Sequence, residues 1–291
     1  MENKLPVSVI IVSYNTKDLT RKALQALYDS NKLPEQVILV DNDSKDGSAQ
    51  MVRDEFPQTS VIESRENLGF AKGNNLGIRQ FANQPFIWLL NSDTETGKNS
   101  LEQIVSYMKT HQDVGAVGPQ LVYPTRDLQS VGGYFPSPLN VLYYLLPFTF
   151  FLPKSWRRKM RSIAVFPQTI PESGIELDYV TGAAVLLRRS ALEQAGLMPE
   201  DYFMYFEESD LCWRMKKAGW KLRVINTDPV MHVYGGSFKT KADKRRLGLF
   251  LESLSKFVRK NYTGWRKNLI LFEVMLLGRL SIFLKGLKSK L

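Results

Sequence analysis

Asp93 stands just after the apolar run Phe86-Ile87-Trp88-Leu89-Leu90, in the short polar loop Asn91-Ser92-Asp93-Thr94. Such a run reads as a strand buried on both faces, and open α/β sheets bind ligands beyond the carboxyl ends of their strands. One carboxylate there suits a divalent cation, because Mg2+ is commonly held by one or two carboxylates with phosphates and water completing its shell. A second strand-like run, Gln36–Val40, leads into Asp41-Asn42-Asp43-Ser44. Asp41 can accept a hydrogen bond from N3–H of uracil or thymine, or hold a ribose hydroxyl; ordinary turn chemistry is the competing reading. Glu207, Glu208 and Asp210 follow the aromatic stretch Phe203-Met204-Tyr205-Phe206. A carboxylate beside apolar rings has its pKa raised toward the range of a general base, whereas helix N-terminal acids favoured by the macrodipole are the simpler alternative.

Smaller signals accompany these acids. Ser13-Tyr14-Asn15-Thr16 follows the first strand-like run and offers an aromatic ring and an amide for a nucleobase, or simply starts a helix. The Gly- and Asn-rich stretch Asn67-Leu68-Gly69-Phe70-Ala71-Lys72-Gly73-Asn74-Asn75 opens a helix whose backbone N–H groups can meet a diphosphate, with Lys72 adding charge. A turn glycine in a left-handed conformation explains the same stretch without a ligand. His232, near a strand end, is a candidate metal ligand or phosphate contact, although a lone histidine is more often structural. His111 is assigned nothing, and Cys212 reads as buried packing.

The elements that must position these residues alternate strand and helix through the first 120 residues. Val7–Ser13, Gln36–Val40, Ser60–Glu63, Phe86–Leu90 and Val114–Val122 read as strands, with helices between them. That alternation predicts a mostly parallel sheet flanked by helices. Residues 123–176 break the pattern and are expected to form an insertion or lid. Order returns at Leu177–Arg188, a helix near Glu208–Ala218, short strands at Leu222–Ile225 and Val230–Val233, and a basic amphipathic helix over Lys241–Lys260. G-x-G-x-x-G after the first strand and G-x-x-x-x-G-K-[ST] are both absent, which argues against a dinucleotide oxidoreductase or a P-loop ATPase.

The chain has 291 residues, 44% of them hydrophobic, and one cysteine, so it can build a sizeable core without disulfides and fits a reducing compartment. Its N-terminus carries no basic-then-apolar signal segment. The net charge of +10 is concentrated in residues 239–291, where 14 Lys and Arg stand against 3 Asp and Glu. Within that tail, Leu269–Leu284 is as apolar as a membrane segment but shorter than the roughly 20 residues a span needs. Glu273 and Arg279 interrupt it, and Lys285, Lys288 and Lys290 follow. This predicts a helix lying in a membrane interface rather than nucleic-acid binding, with docking on the domain as the alternative. The aromatic patch Val141–Leu152, followed by Lys154, Trp156, Arg157, Arg158, Lys159 and Arg161, suits the same headgroup layer. The expected organisation is one domain over residues 1–238, with basic amphipathic helices over 239–291.

Taken in order, six stretches resemble the inverting glycosyltransferases of family 2, in particular the bacterial rhamnosyltransferase-like branch that builds surface polysaccharides. They are Val9–Asn15, Val40–Ser44, Asn67–Phe70, Leu89–Thr94, Thr181-Gly182-Ala183-Ala184 and Met204–Cys212, and the likeness spans roughly residues 6–260. The resemblance implies a GT-A (Rossmann-like) fold, a nucleotide-diphosphate sugar donor, a lipid-linked or saccharide acceptor and a divalent cation, Mg2+ or Mn2+. It implies that Asp41 contacts the base, that Asp93 binds the metal with His232 near it, and that Glu208 occupies the general-base position. Around the donor it implies Ser13, Tyr14, Asn15 and Asn42, then Gly69, Phe70, Lys72 and Asn74, and finally Asn91, Ser92 and Gly182. Two departures stand out. The family's D-x-D is here Asn91-Ser92-Asp93, and the base, usually Asp in a Glu-Asp pair, is Glu208, with Asp210 and Glu207 close by. The absence of a Q-x-x-R-W run favours single-sugar transfer. The implied place of action is the cytoplasmic face of the cell membrane, as a peripheral protein. The alternatives are a sugar nucleotidyltransferase and a non-catalytic basic protein on a transferase-like fold that binds membrane or nucleic acid.

Overall fold

The computed structural model describes residues 4–145, 163–233 and 243–288. The first half builds β1 (Lys4–Ser13), α1 (Lys17–Tyr28), β2 (Leu33–Asp41), α2 (Ser48–Glu55), β3 (Ser60–Glu63), α3 (Gly69–Gln80) and β4 (Phe86–Asn91). After the short β5 (Thr94–Glu95) come α4 (Ser100–Thr110), β6 (Val114–Gly118), β7 (Leu121–Val122), β8 (Gly132–Gly133) and α5 (Pro138–Leu145). The second half adds β9 (Ile175–Glu176), β10 (Tyr179–Val180), β11 (Ala184–Arg188), α6 (Arg189–Ala195), α7 (Glu207–Lys217), β12 (Lys221–Val224), β13 (Val230–His232), α8 (Asp243–Asn261) and α9 (Gly264–Lys288).

Eight strands form one sheet in the order β3-β2-β1-β4-β11-β6-β12-β9. The apolar runs are buried as expected: Ile87, Trp88, Leu89 and Leu90 are at most 2% exposed, between flanking layers of helix. Helix α1 buries Thr20, Ala23, Leu24 and Leu27, the spacing of one helical face. Helix α3 approaches β1 through glycines, since a Cβ on Gly73 or Gly77 would stand 2.9 Å from Val12 Cγ1 or Ile10 Cγ2.

Two strand expectations need correction, the first being Val114–Val122, which divides into β6 of the large sheet and β7 of a separate small sheet β5-β13-β7. The second, Leu177–Arg188, is also broken: β10 pairs with β8, and only β11 joins the large sheet, antiparallel to both β4 and β6. The turn at Thr181–Ala183 brings the Ala183 carbonyl under the Asn91 N–H at 2.9 Å, which draws β11 alongside β4. The described part of the stretch expected to form an insertion or lid bonds to the strands beside it. Leu128 bridges to Val122, Gln129 N–H donates to Leu121 O at 2.9 Å, and Gly132 and Gly133 pair with β10. Residues 146–162, which hold most of the aromatic and basic patch, lie outside the described residues, as do Tyr234–Gly236 and Lys290.

The C-terminal helices pack into a second apolar core instead of standing apart. It contains Val141 and Leu145 of α5, Leu254, Phe257 and Val258 of α8, Ile270 and Val274 of α9, and Tyr202 and Phe206 from the loop before α7. Helix α9 therefore docks by one face and leaves the other open. No described helix is long and apolar enough to cross a membrane.

Candidate active site

The ends of the central strands fall in register at one edge of the sheet. Ser13 pairs with Asp41, Val12 pairs with Asn91, and Asn91 reaches Ala183. The loops after β1, β2 and β4 and the turn before β11 thus open at the same carboxyl edge, where α/β folds bind ligands.

The first two loops are stitched into one wall. Asn15, at φ 52°, donates its N–H to Ser44 Oγ at 3.0 Å, and its Oδ1 accepts from Lys45 N–H at 2.7 Å. Asp41 is 2% exposed; its Oδ1 accepts from Ser44 N–H at 2.8 Å, while Oδ2 has no partner among the described residues. Burial raises the Asp41 pKa, and the bonds from Ser44 oppose the rise. Asn42 donates Nδ2 to Gly69 O at 3.1 Å, which fixes the start of α3 against this wall and leaves Asn42 Oδ1 as an unpartnered acceptor. Tyr14 is exposed beside it. Lys72 is exposed on α3, whereas Asn74 is buried with Nδ2 donating to Phe70 O at 2.9 Å. Ser13 Oγ lies inward, 3.0 Å from both Thr16 Oγ1 and Thr20 Oγ1. Thr16 Oγ1 also donates to Ser92 Oγ at 3.0 Å, so the first and fourth strand ends share one hydroxyl network. Asn91 is half-buried, with its carbonyl accepting from Thr94 Oγ1.

Asp93 lies on the link between β4 and β5, and β5 pairs antiparallel with β13. Val233 N–H donates to Asp93 O at 2.9 Å, and His232 Nε2 lies 3.2 Å from Asp93 Oδ1, with both side chains buried. A carboxylate oxygen and an imidazole nitrogen thus converge across 139 positions of sequence. Among the described residues no three His, Cys, Asp or Glu form a closed metal cage. The pair therefore fits a divalent cation that takes its remaining ligands from substrate phosphate and water.

The acids of α7 differ in their surroundings. Asp210 is fully buried, bonded to Tyr202 OH, Arg214 Nε and Lys260 Nζ, each at 3.0 Å, and to Asn261 Nδ2 at 3.2 Å. Burial works to raise its pKa, but the cations and the amide outweigh burial and hold it below the ordinary value. Glu208 instead packs against Gly182, on which a Cβ would stand 3.9 Å from Glu208 Cβ, while Oε2 has no partner among the described residues. Burial raises the Glu208 pKa, with backbone N–H groups opposing the rise. Glu207 is raised well above the ordinary carboxylate value, first by burial and then by the charge of Glu208. Of the eight unpartnered buried polar atoms among the described residues, four belong to Asp41, Asn42, Glu207 and Glu208. Buried oxygens without donors are rare enough to mark a place awaiting a ligand's N–H, O–H or cation.

One feature of this edge has no sequence signal. Tyr205 and Phe206 have φ of 67° and 68°, the left-handed region that bulky residues avoid. Such strain costs about 1–3 kcal/mol per residue and gathers at functional sites. Phe206 is held against Phe257, with the ring centroids 5.3 Å apart and tilted by 38°, and Ser253 Oγ donates to Met204 O at 2.6 Å. The strained pair turns the chain into α7 so that Glu208 faces Gly182.

The fold and this edge define a GT-A glycosyltransferase. Residues 8–196 match the profile of Glycosyl transferase family 2, and the chain belongs to that family. It is 26% identical over 275 residues to the N-acetylglucosaminyl-diphospho-decaprenol L-rhamnosyltransferase of Mycobacterium tuberculosis (strain CDC 1551 / Oshkosh), covering 91% of this chain and 87% of that one. It is also 26% identical over 235 residues to the low-salt glycan biosynthesis hexosyltransferase Agl10 of Haloferax volcanii, covering 73% and 69%. Among solved structures, the mannosyltransferase PcManGT from Pyrobaculum calidifontis in complex with GDP-Man and Mn2+ shares the fold, with a TM-score of 0.60, 16% identity, and 95% of this chain and 72% of that one covered.

Proposed function

We propose that this glycosyltransferase moves one sugar, with inversion, from a dTDP- or UDP-linked donor to a lipid-linked or growing saccharide acceptor in surface-polysaccharide synthesis. Rhamnose is the first candidate for the sugar, from the likeness to the mycobacterial relative. The observation that carries this reading is the shared sheet edge. Asp93 and His232 stand at the end of β4, and Glu208 meets the Gly182 turn that adjoins that strand end through Ala183 and Asn91.

Asp41 Oδ2 would accept the imide N–H of the pyrimidine, with Tyr14 beside the ring. Glu208 would take the proton of the acceptor hydroxyl as that oxygen bonds to the anomeric carbon. The bond from that carbon to the diphosphate breaks on the opposite face, and the nucleoside diphosphate leaves. The divalent cation, Mg2+ or Mn2+, would be held by Asp93 and His232 and supplies charge neutralisation for the leaving diphosphate. Asp210 serves this reading as an anchor, because its oxygens already have four partners.

The open face of α9 supports a place on the membrane surface. Trp265, Leu269, Phe272, Met275 and Leu276 are exposed at helical spacing, and Arg266 lies over the Trp265 ring. The test is release of nucleoside diphosphate from a panel of dTDP- and UDP-sugars with Mn2+ and a lipid-linked N-acetylglucosaminyl diphosphate. Acceptor-dependent release and an inverted product are expected. A product that retains the donor's anomeric configuration overturns the mechanism, and no release from any donor with lipid or saccharide acceptors overturns the assignment.

A further inference from the structure

We propose that Gln129 is a positioning residue that fixes the tautomer of His232 and so turns the Nε2 lone pair toward Asp93 and the cation. The inference rests on the reading of Asp93 and His232 as cation ligands.

Gln129 is 3% exposed, and its side chain makes three hydrogen bonds inside the protein. Its Nε2 donates to His232 O at 2.6 Å and to Val122 O at 3.2 Å. Both amide hydrogens are thereby committed, so the amide cannot be turned over without facing two carbonyls with an oxygen. Its Oε1 therefore stands as an acceptor 3.0 Å from His232 Nδ1. An acceptor there requires Nδ1 to carry the hydrogen. In the neutral ring the lone pair then sits on Nε2, 3.2 Å from Asp93 Oδ1. A divalent cation held by Asp93 and His232 would offset the repulsion between these two lone pairs. The other tautomer would satisfy Asp93 with Nε2–H, but it would set the Nδ1 lone pair against Gln129 Oε1.

The geometry is carried by the small sheet β5-β13-β7. Gln129 sits on the return arm of the hairpin that follows β7, with its N–H on Leu121 O, and it holds His232 at both its carbonyl and its ring. A hydrogen-bond acceptor on the far nitrogen of a metal-bound histidine commonly contributes 10–100-fold in metal affinity.

Two variants separate positioning from mere cross-linking. Gln129→Glu keeps an acceptor for Nδ1–H but loses both donors to the carbonyls. Gln129→Leu loses donors and acceptor alike. Both should melt lower than the parent. Mn2+ affinity with bound UDP or dTDP, measured by electron paramagnetic resonance, should stay within about threefold in Gln129→Glu and weaken about 10–100-fold in Gln129→Leu. With only two histidines in the chain, a 1H–15N spectrum of the unaltered protein resolves His232, and the Nδ1–H tautomer is expected. Equal Mn2+ affinity in folded Gln129→Leu, or an Nε2–H tautomer in the parent, overturns the role of Gln129 alone. A parent that binds no Mn2+ with either UDP or dTDP overturns the cation site and this inference together. Should Gln129→Leu fail to fold, the tautomer and the Gln129→Glu affinity still decide the matter, and a more than tenfold loss in Gln129→Glu counts against it.

Discussion

Glu208 lies against Gly182, where a Cβ would stand 3.9 Å from Glu208 Cβ. That contact joins the α7 acid to the end of the central sheet, and Glu208 Oε2 has no partner among the described residues. Glu208→Gln keeps the shape but loses the base. Transfer should fall by about 10²–10⁴, with donor affinity, measured by calorimetry with the nucleoside diphosphate, within about threefold of the parent. Transfer that persists at the parent rate removes Glu208 from the chemistry.

Asp210→Asn should do the opposite. The substitution leaves Lys260 and Arg214 facing a neutral amide at a fully buried position. Breaking one partner of a buried charge network costs about 3–5 kcal/mol, read as a lower Tm and an earlier denaturant midpoint. In protein that stays folded, kcat should change by no more than about threefold. A Tm close to the parent's combined with inactivity would make Asp210 the base instead.

Much of this division was legible in the chain and some was not, for physical reasons. Asp41 and Asp93 announce themselves because a buried parallel strand must be apolar and must end where the sheet edge turns polar. The Glu207–Asp210 cluster is equally visible, and Arg214 at i+4 hints that Asp210 is paired. Lys260, 50 positions away, gives no such hint. The antiparallel direction of β11 is unreadable, since apolar alternation carries no sense of chain direction. Gln129 fell in a stretch read as insertion because a two-residue strand is too short to show a period. Tyr205 and Phe206 look like packing aromatics, and their left-handed backbone is imposed by tertiary contacts.

Asp93→Ala should abolish the metal dependence of donor binding. In the parent, chelation of divalent cations should weaken binding of the nucleotide sugar, and Mn2+ or Mg2+ should restore it. In the variant, affinities with and without cation should coincide at the chelated level. A cation response of the parent's size in Asp93→Ala would place the metal elsewhere.

Glu273 predicts a pH effect on stability far from the active site. It is 7% exposed on the docked side of α9, its Oε2 lacks a partner among the described residues, and burial alone pushes its pKa from 4.5 to about 7. The folded protein therefore binds a proton at Glu273 more tightly than the unfolded chain does. Its contribution is present below about pH 4.5 and is lost as pH rises through about 7. The loss reaches up to about 3 kcal/mol above pH 8. Glu273→Gln should raise Tm at pH 8.5 and leave it nearly unchanged at pH 4.5. An equal Tm difference at the two pH values would show that Glu273 does not titrate in this window.

The open face of α9 makes the last prediction, and the two faces of that helix separate it from a folding effect. Ile270 and Val274 are buried against α8 and α5, so their replacement would damage the second core on which Phe206 rests. Phe272 and Met275 are 53% and 54% exposed, so changing both to Ser removes apolar surface from the open side only. Surface changes of this kind usually shift stability by less than about 0.5 kcal/mol, and Tm should hardly move. Binding to vesicles containing anionic phospholipid should weaken by about tenfold or more, since each exposed side chain of this size contributes roughly 1.5–3 kcal/mol when buried in an apolar layer. Raising salt should weaken binding by the parent too, because attraction between the tail's arginines and lysines and anionic headgroups would act through screened charge. A double variant that sediments with such vesicles as well as the parent would leave α9 as a docked helix whose open face has no role at the membrane.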